Sequence, residues 1–175
     1  DIYLVNPTRQ ELRGQRCWPS IAALPGTPDV AVIVVPASGV LAVVEECVAR
    51  GVPFAVILSS GFGEAGTEGL QAQERIREVA QAGGLRLYGP NCPGLVNVNS
   101  RLGLTFSPSF PHDLNKGPIG LATQGGGLGR NIMQAMDRGI GIGLWASTGN
   151  EVDLQVADFI AYVADAPDIR VIVTL

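Results

Sequence analysis

The chain is short of positive charge, aromatics, cysteine and histidine, and each shortage removes a class of function. Its 12 Lys and Arg stand against 16 Asp and Glu, giving a net charge of -4 and a pI near 4.9. No basic run offers the phosphate contacts of a nucleic-acid binder. Cys17, Cys47 and Cys92 are an odd set without CxxC spacing, so neither a disulfide framework nor a zinc site is expected. Paired acids and metal-ligand clusters are missing too. No apolar run reaches the ~18 residues needed to cross a bilayer, and the N-terminus lacks a basic flank or cleavage pattern. The expectation is a soluble, reduced, cytoplasmic α/β protein with no nucleic-acid or membrane partner. What the chain does have is 46% apolar residues with only 6% aromatics, enough for an aliphatic core over 175 residues. It also holds 23 Gly and 12 Pro without a collagen-like period, a surplus suited to tight turns and to loops where backbone meets ligand.

Short apolar runs alternate with amphipathic stretches, the pattern of βα units on a parallel sheet. Ile2–Val5 reads as a strand. Val30–Val35 is a β-branched run expected to be buried on both faces, with Ser38 positioned to cap the next helix. In that helix Val40, Leu41, Val43, Val44, Cys47 and Val48 share one face. Phe54–Leu58 is the next strand, followed by a polar glycine loop over 59–66. A helix over 67–82 should bury Ala72, Ile76, Val79 and Ala80 and show Gln73, Glu74, Arg75 and Glu78 to water. Arg86–Tyr88 is a short strand running into Gly89-Pro90-Asn91-Cys92-Pro93-Gly94. Residues 99–117 lose periodicity and read as a linker holding Pro108 and Pro111. Beyond it come a strand over Ile119–Thr123, a helix over Gly127–Arg138 with Leu128, Ile132, Met133 and Met136 inward, and a strand over Ile142–Ala146. A helix burying Val156, Ala157, Ile160, Val163 and Ala164 follows, then a strand over Val171–Leu175. Both ends look cut, because a parallel sheet would be left with raw edges there.

Ligands of open α/β sheets lie at the carboxyl ends of the strands. Here those ends are Asn6-Pro7, Pro36-Ala37-Ser38, Ser59-Ser60-Gly61 and 89–94, all small and uncharged, although ordinary turns favour the same residues. Gln124-Gly125-Gly126-Gly127, between a strand and a helix, would free N–H groups at a positive helix end for a phosphate. It is not a P-loop, and Arg130 breaks the match to GxGxxG. His112 reads as a solvated loop residue. Cys92 sits in a site loop but has no neighbouring base in sequence, so packing is the more natural role. Asn150 and Asp153 are placed to cap the following helix, and Glu64 reads as a solvated or helix-entry carboxylate.

Taken in order, VNP at Asn6-Pro7, DVAVIVVPAS (29–38), LSSGFGEAG (58–66), GPNCPG (89–94), TQGGGLG (123–129) and STGNEVD (147–153) resemble the NDP-forming acyl-CoA synthetases, the superfamily of succinyl-CoA synthetase α subunits. The resemblance implies a Rossmann-like parallel-sheet CoA-binding domain over 1–98, a linker over 99–117 and a flavodoxin-like parallel ligase domain over 118–175, both domains truncated. It implies that Pro36, Ala37 and Ser38 line the nucleotide side of coenzyme A. Ser59, Ser60 and Gly61 would hold its phosphate or pantetheine arm, and Asn91, Cys92 and Pro93 would lie near its thiol, with Asn6 also on the CoA side. Gln124, Gly125, Gly126 and Gly127 would form half of a phosphate site, Gly125 standing where the family usually has serine. The implied reaction joins a carboxylic acid to CoA with NTP, by way of an acyl phosphate and a phosphohistidine outside this chain. ATP/ADP, Mg and an ATP-grasp subunit or fused domain would be supplied elsewhere, in an oligomer. No catalytic residue and no metal ligand is assigned within the chain. Two other readings are a CoA- or acyl-CoA-sensing module without ligase activity and, more distantly, an NAD-dependent Rossmann oxidoreductase. The latter lacks an acidic residue about 20 positions after a true glycine fingerprint.

Overall fold

The structure is a computed structural model describing residues 1–106 and 115–175. Its order begins with β1 (Leu4–Val5), β2 (Glu11–Leu12), β3 (Gln15–Trp18), β4 (Val30–Ile33) and α1 (Ala37–Arg50). Then come β5 (Phe54–Ile57), α2 (Thr67–Ala82), β6 (Arg86–Tyr88), β7 (Gly94–Asn97) and β8 (Leu102–Thr105). After residue 114 follow β9 (Ile119–Thr123), α3 (Gly126–Met133), β10 (Ile142–Ser147), α4 (Val156–Ala164) and β11 (Val171–Thr174). The parallel sheet β4-β5-β6 and the sheet β11-β9-β10-β7-β8 form two α/β units, and the second takes in β7 and β8, which the sequence pattern assigns to the first domain and the linker. A third small sheet, β1-β3-β2, holds the N-terminal residues.

In the first unit, α1 and α2 cover one face of β4-β5-β6. Ile33, Ala55, Ile57, Leu85 and Leu87 meet Val40, Val44 and Cys47 of α1 and Ile76 and Ala80 of α2. The other face, with Val56 and Tyr88, packs against Leu95, Leu104 and Phe159 of the second unit. The β4 run is therefore not buried on both faces, for Val32 and Val34 are 41% and 68% exposed. Its β-branched composition reports strand preference, whereas burial depends on what the fold lays over it. In α2, Ile76 and Ala80 are buried and Val79 packs beside them, but Ala72 is exposed and the buried position one turn earlier is Gly69.

The second sheet is parallel across β11-β9-β10 and antiparallel where β7 joins β10 and β8 joins β7. So Leu102–Thr105, inside the stretch read as linker, is an edge strand. Leu102 and Gly103 are exposed and Leu104 and Thr105 half-buried, so this strand carries no alternation by which to register as a periodic run. His112, Pro108 and Pro111 lie outside the described residues. The register between β9 and β10 shifts at Gly143. That bulge lets Ile142 and Trp145 both face the α3 side while Leu144 and Ala146 face α4. The expected helix to Arg138 is α-helical only to Met133 and continues as a 3-10 turn over Gln134–Arg138. Leu128 is turned outward and 58% exposed. In α4 only Val163 is fully buried, while Ala157 and Ala164 lie at the surface.

The sequence pattern offers no sign of β2 and β3, half of whose residues, Glu11, Gln15 and Arg16, are charged or amide-bearing. They form a hairpin because Arg13 and Gly14 take positive φ values of 51° and 79° between the paired Leu12 and Gln15, the backbone that a two-residue turn needs. Among the described residues no helix is long and apolar enough to cross a membrane.

Candidate functional site at the strand ends

Most of the predicted loops meet along one edge. Ser59 Oγ donates to Val35 O at 2.5 Å, tying the end of β5 to the end of β4. A Cβ built at Gly61 would come 3.1 Å from that of Ala37, so these two turns lie in close contact. Asn91 N donates to Ser59 O at 2.9 Å, which adds the loop after β6. A Cβ at Gly126 would come 2.7 Å from Pro93 Cγ, so the start of α3 rests directly on that same loop. Pro36–Ser38, Ser59–Gly61, Asn91–Pro93 and Gln124–Gly127 thus form one continuous rim drawn from both sheets. Asn6 does not join it by any hydrogen bond. It lies just past β1, its N–H donating to Trp18 O at 2.8 Å, and its Oδ1 accepts from Thr8 N, Thr8 Oγ1 and Arg9 N in an Asx turn.

Two helices open onto this rim without a side-chain cap. Pro36 precedes α1 and Gly125 precedes α3, and neither offers a capping oxygen. Ser38, expected to cap α1, lies inside its first turn, two residues past the N-cap, because Pro36 already carries the non-helical backbone. First-turn N–H groups left without intrahelical or side-chain acceptors, at the positive end of the macrodipole, suit an anion. Gln124 is fixed beside α3, with Nε2 donating to Gly149 O at 2.7 Å while its carbonyl accepts from Gly149 N at 3.0 Å.

The floor of the rim is built for rigidity. Tyr88 Oη is shared between Ser147 O at 2.7 Å and Gly94 O at 3.0 Å, and its ring meets Phe159 edge-on at 5.1 Å. Burial, with a smaller push from Cys92, holds that phenol well above its ordinary range, so it stays a neutral donor. Cys92 is likewise buried. Its thiol points to Ile57 O at 3.4 Å, and desolvation pushes its pKa up to about 12. A thiol held protonated is no nucleophile, so packing is the role the geometry supports for Cys92. Cys47 is pushed up to about 11, first by burial and then by Glu46. Among the described residues no group of three or more His, Cys, Asp or Glu is placed to hold a metal ion.

The loop after β10 differs most from its sequence reading. Neither Asn150 nor Asp153 caps α4, which starts only at Val156. There the Val156 N–H donates to Glu151 Oε1 at 2.9 Å and Gln155 N to Asp158 Oδ2 at 2.8 Å. Asp153 instead reaches the first sheet, accepting from Arg86 Nε and from Leu87 N, both at 2.8 Å. Desolvation raises its pKa, but these donors outweigh it and the net shift is downward. Asn150 reaches Glu64, Gln73 and Asn91. Gln73, which the helical pattern assigns to solvent, therefore faces a partner. An amide after a single glycine in a strand-end loop is the signal the sequence carries for Asn150, and capping residues share that signal.

Fold and rim together define an open α/β protein of the kind that takes its ligand at the carboxyl ends of parallel strands. The chain belongs to the CoA binding domain family, which it matches over residues 1–98, and residues 116–175 match the succinyl-CoA ligase like flavodoxin domain. It is 38% identical over 174 residues to an ADP-forming acetate–CoA ligase I of Archaeoglobus fulgidus, covering 98% of this chain and 25% of that protein. It is 36% identical over 172 residues to the α subunit of the ADP-forming acetate–CoA ligase II of Pyrococcus furiosus, covering 98% and 37%. The acetyl-coenzyme A synthetase 1 of Ca. Korarchaeum cryptofilum, solved with phosphate and ADP, superposes with a TM-score of 0.89 at 36% identity over 98% of this chain and 36% of that one. The chain thus spans between 25% and 37% of the length of these relatives.

Proposed function

We propose that this chain is the CoA-binding portion of an ADP-forming acid–CoA ligase. The observation that carries the reading is the single rim on which both uncapped helix starts, α1 and α3, open beside the loops after β5 and β6. Coenzyme A brings several phosphates on its nucleotide end and a thiol at the other. Pro36, Ala37 and Ser38 at the start of α1 take the nucleotide side, and Ser59, Ser60 and Gly61 take the phosphate or pantetheine arm. The backbone of Asn91, Cys92 and Pro93 lies toward the thiol, next to Gln124–Gly127, where α3 receives a phosphate. Asn6 belongs to the CoA side by resemblance only.

The overall reaction takes a carboxylic acid, CoA and NTP to acyl-CoA, NDP and phosphate, by way of an acyl phosphate and a phosphohistidine. The residues of this chain bind and orient CoA, and the N–H groups of α3 stabilise charge on the transferring phosphoryl group. The phosphorylated histidine, the ATP-grasp element and its ATP/ADP and Mg site are assigned to other parts of the assembly. We assign the work to a CoA-binding part over 1–98 and a ligase-like part over 118–175, in a cytoplasmic oligomer; residues 99–117 between them carry β8 of the second sheet. The α-subunit relative and the ADP-forming ligases among the matches support this reading.

The test is calorimetric titration of the intact protein with CoA, with dephospho-CoA and NAD as controls. CoA binding that weakens when the 3′-phosphate is removed is expected. NAD binding in the absence of CoA binding overturns the proposal.

A further inference from the structure

The loop after β5 and the loop after β10 belong to different sheets, and one carboxamide joins them. Asn150 Nδ2 donates to Glu64 Oε2 at 2.5 Å and to Gln73 Oε1 at 2.9 Å, and Asn150 Oδ1 accepts from Asn91 Nδ2 at 3.3 Å. Each of these partners holds something further. The other oxygen of Glu64 accepts from Gly61 N at 2.5 Å and Phe62 N at 3.2 Å. Gln73 Oε1 also accepts from Gly63 N at 3.1 Å. The backbone around Asn150 is tied in the other direction. Its own N–H donates to Pro90 O at 2.9 Å, and the preceding Gly149 exchanges hydrogen bonds with Gln124 at the entry to α3. Asn91 and Glu151, on either side of this amide, are both held at positive φ, 55° and 57°. Non-glycine residues keep such backbone only where their surroundings over-determine it.

We infer that Asn150 is a positioning residue that couples the Gly61–Glu64 turn to the Gln124–Gly127 turn, so that CoA on the first and phosphate on the second bind with linked affinities. The path runs from Gly61 N–H through the Glu64 carboxylate to the Asn150 amide, then through Gly149 to Gln124. Its weak point is the tip of the turn after β5. Among the described residues, the hydrogen bonds that tie residues 63 and 64 to the second unit run through side chains, Glu64 to Asn150 and Gly63 by way of Gln73, whereas the 89–94 loop is tied to it by backbone pairs, Asn150 N to Pro90 O and Val152 N to Gly89 O. A ligand that rearranges the tip must therefore change what Asn150 can hold. Thermodynamic linkage then requires the reciprocal effect at the phosphate turn.

The inference rests on the CoA-ligase reading, and one set of titrations separates the two. CoA affinity is measured on the intact protein with and without saturating inorganic phosphate, for the wild type, Asn150→Ala, Asn150→Asp and Glu64→Ala. The wild type is expected to show a phosphate-dependent change in CoA affinity of about five-fold or more, at the lower end of known coupling factors. Asn150→Ala and Glu64→Ala should bring that ratio to within two-fold of unity. Asn150→Asp should also lose it, because a carboxylate cannot donate to Glu64. Variants are compared at temperatures where their melting curves show them folded. A ratio that stays at the wild-type value in both alanine variants overturns the inference, as does a wild type with no coupling at all. A wild type that binds no CoA overturns the ligase reading itself.

Discussion

Two glycine turns end parallel strands in this molecule, and they treat their backbone N–H groups in opposite ways. After β5, the turn supplies its own anion, with the Glu64 carboxylate accepting from Gly61 and Phe62 and a carboxamide from α2 accepting from Gly63. After β9, the turn has no acid in the first helical turn and no capping side chain. Glycine content does not separate the two, since both are rich in it. What separates them is whether a neighbouring side chain already satisfies the donors. Of the two, the second is the one that opens a helix with no side-chain cap, the arrangement that suits an anion. The first is shaped by internal contacts.

The sharpest way to break the contrast is to add one methyl group to a first-turn glycine of each helix. At Gly69 in α2, a Cβ would run into the carbonyl of buried Phe62, whereas at Gly127 in α3 nothing lies within 4 Å. Gly69→Ala should therefore lower stability by about 1–3 kcal/mol through overpacking. Gly127→Ala should raise it by about 0.5–1 kcal/mol through helix propensity. Urea denaturation of both variants checks the opposite signs, and equal effects would remove the distinction.

A smaller effect is expected from acid. Burial raises the Glu64 pKa, but hydrogen bonds from Asn150, Gly61 and Phe62 outweigh it and hold it below the ordinary glutamate range. A carboxylate depressed in the folded state contributes order that is present above its unfolded value, about 4.3. That order is lost as pH falls through the folded value. In amide NMR spectra, Gly61 and Phe62 should shift together with a midpoint below about 4.3. A midpoint at or above the unfolded value would show that the turn does not favour the ionised acid.

The smallest effect concerns Gly125. Its φ of −97° is ordinary backbone and a Cβ there meets nothing within 4 Å, so a serine fits. Gly125→Ser should stabilise α3 by only a few tenths of a kcal/mol, the usual difference between serine and glycine at a helix start. Thermal melting with and without inorganic phosphate checks it. A larger stabilisation in phosphate than in its absence would mean that the hydroxyl assists the anion rather than competing with it.

Much of the fold was legible because local chemistry and tertiary role agree. The face of α1 from Val40 to Val48 repeats at helical spacing and is the face that packs. Strands β5, β6, β9, β10 and β11 each carry a run long enough to be recognised. The site loops were legible for a similar reason, since a strand end followed by Gly, Ser, Asn and Pro has few other structures available. The exceptions have physical causes. Leu128 is apolar and at helical spacing, yet α3 turns it outward because Gly129, not Leu128, lies against Trp145 and Thr123. Gln73 and Asn150 look like solvent-facing or capping residues because the partner that claims each is 77 positions away in the chain.

The sequence by itself determined the alternation of strand and helix, the placement of small-residue turns at the strand ends and the family resemblance, because each is written in short-range spacing and residue type. Only the tertiary structure decided which donors are already satisfied and which remain open. It also decided that β8 joins the second sheet and that one amide links the two turns. Those outcomes depend on contacts between residues far apart in the chain, and the free energy of a hydrogen bond depends on its partner's position rather than on the residue alone.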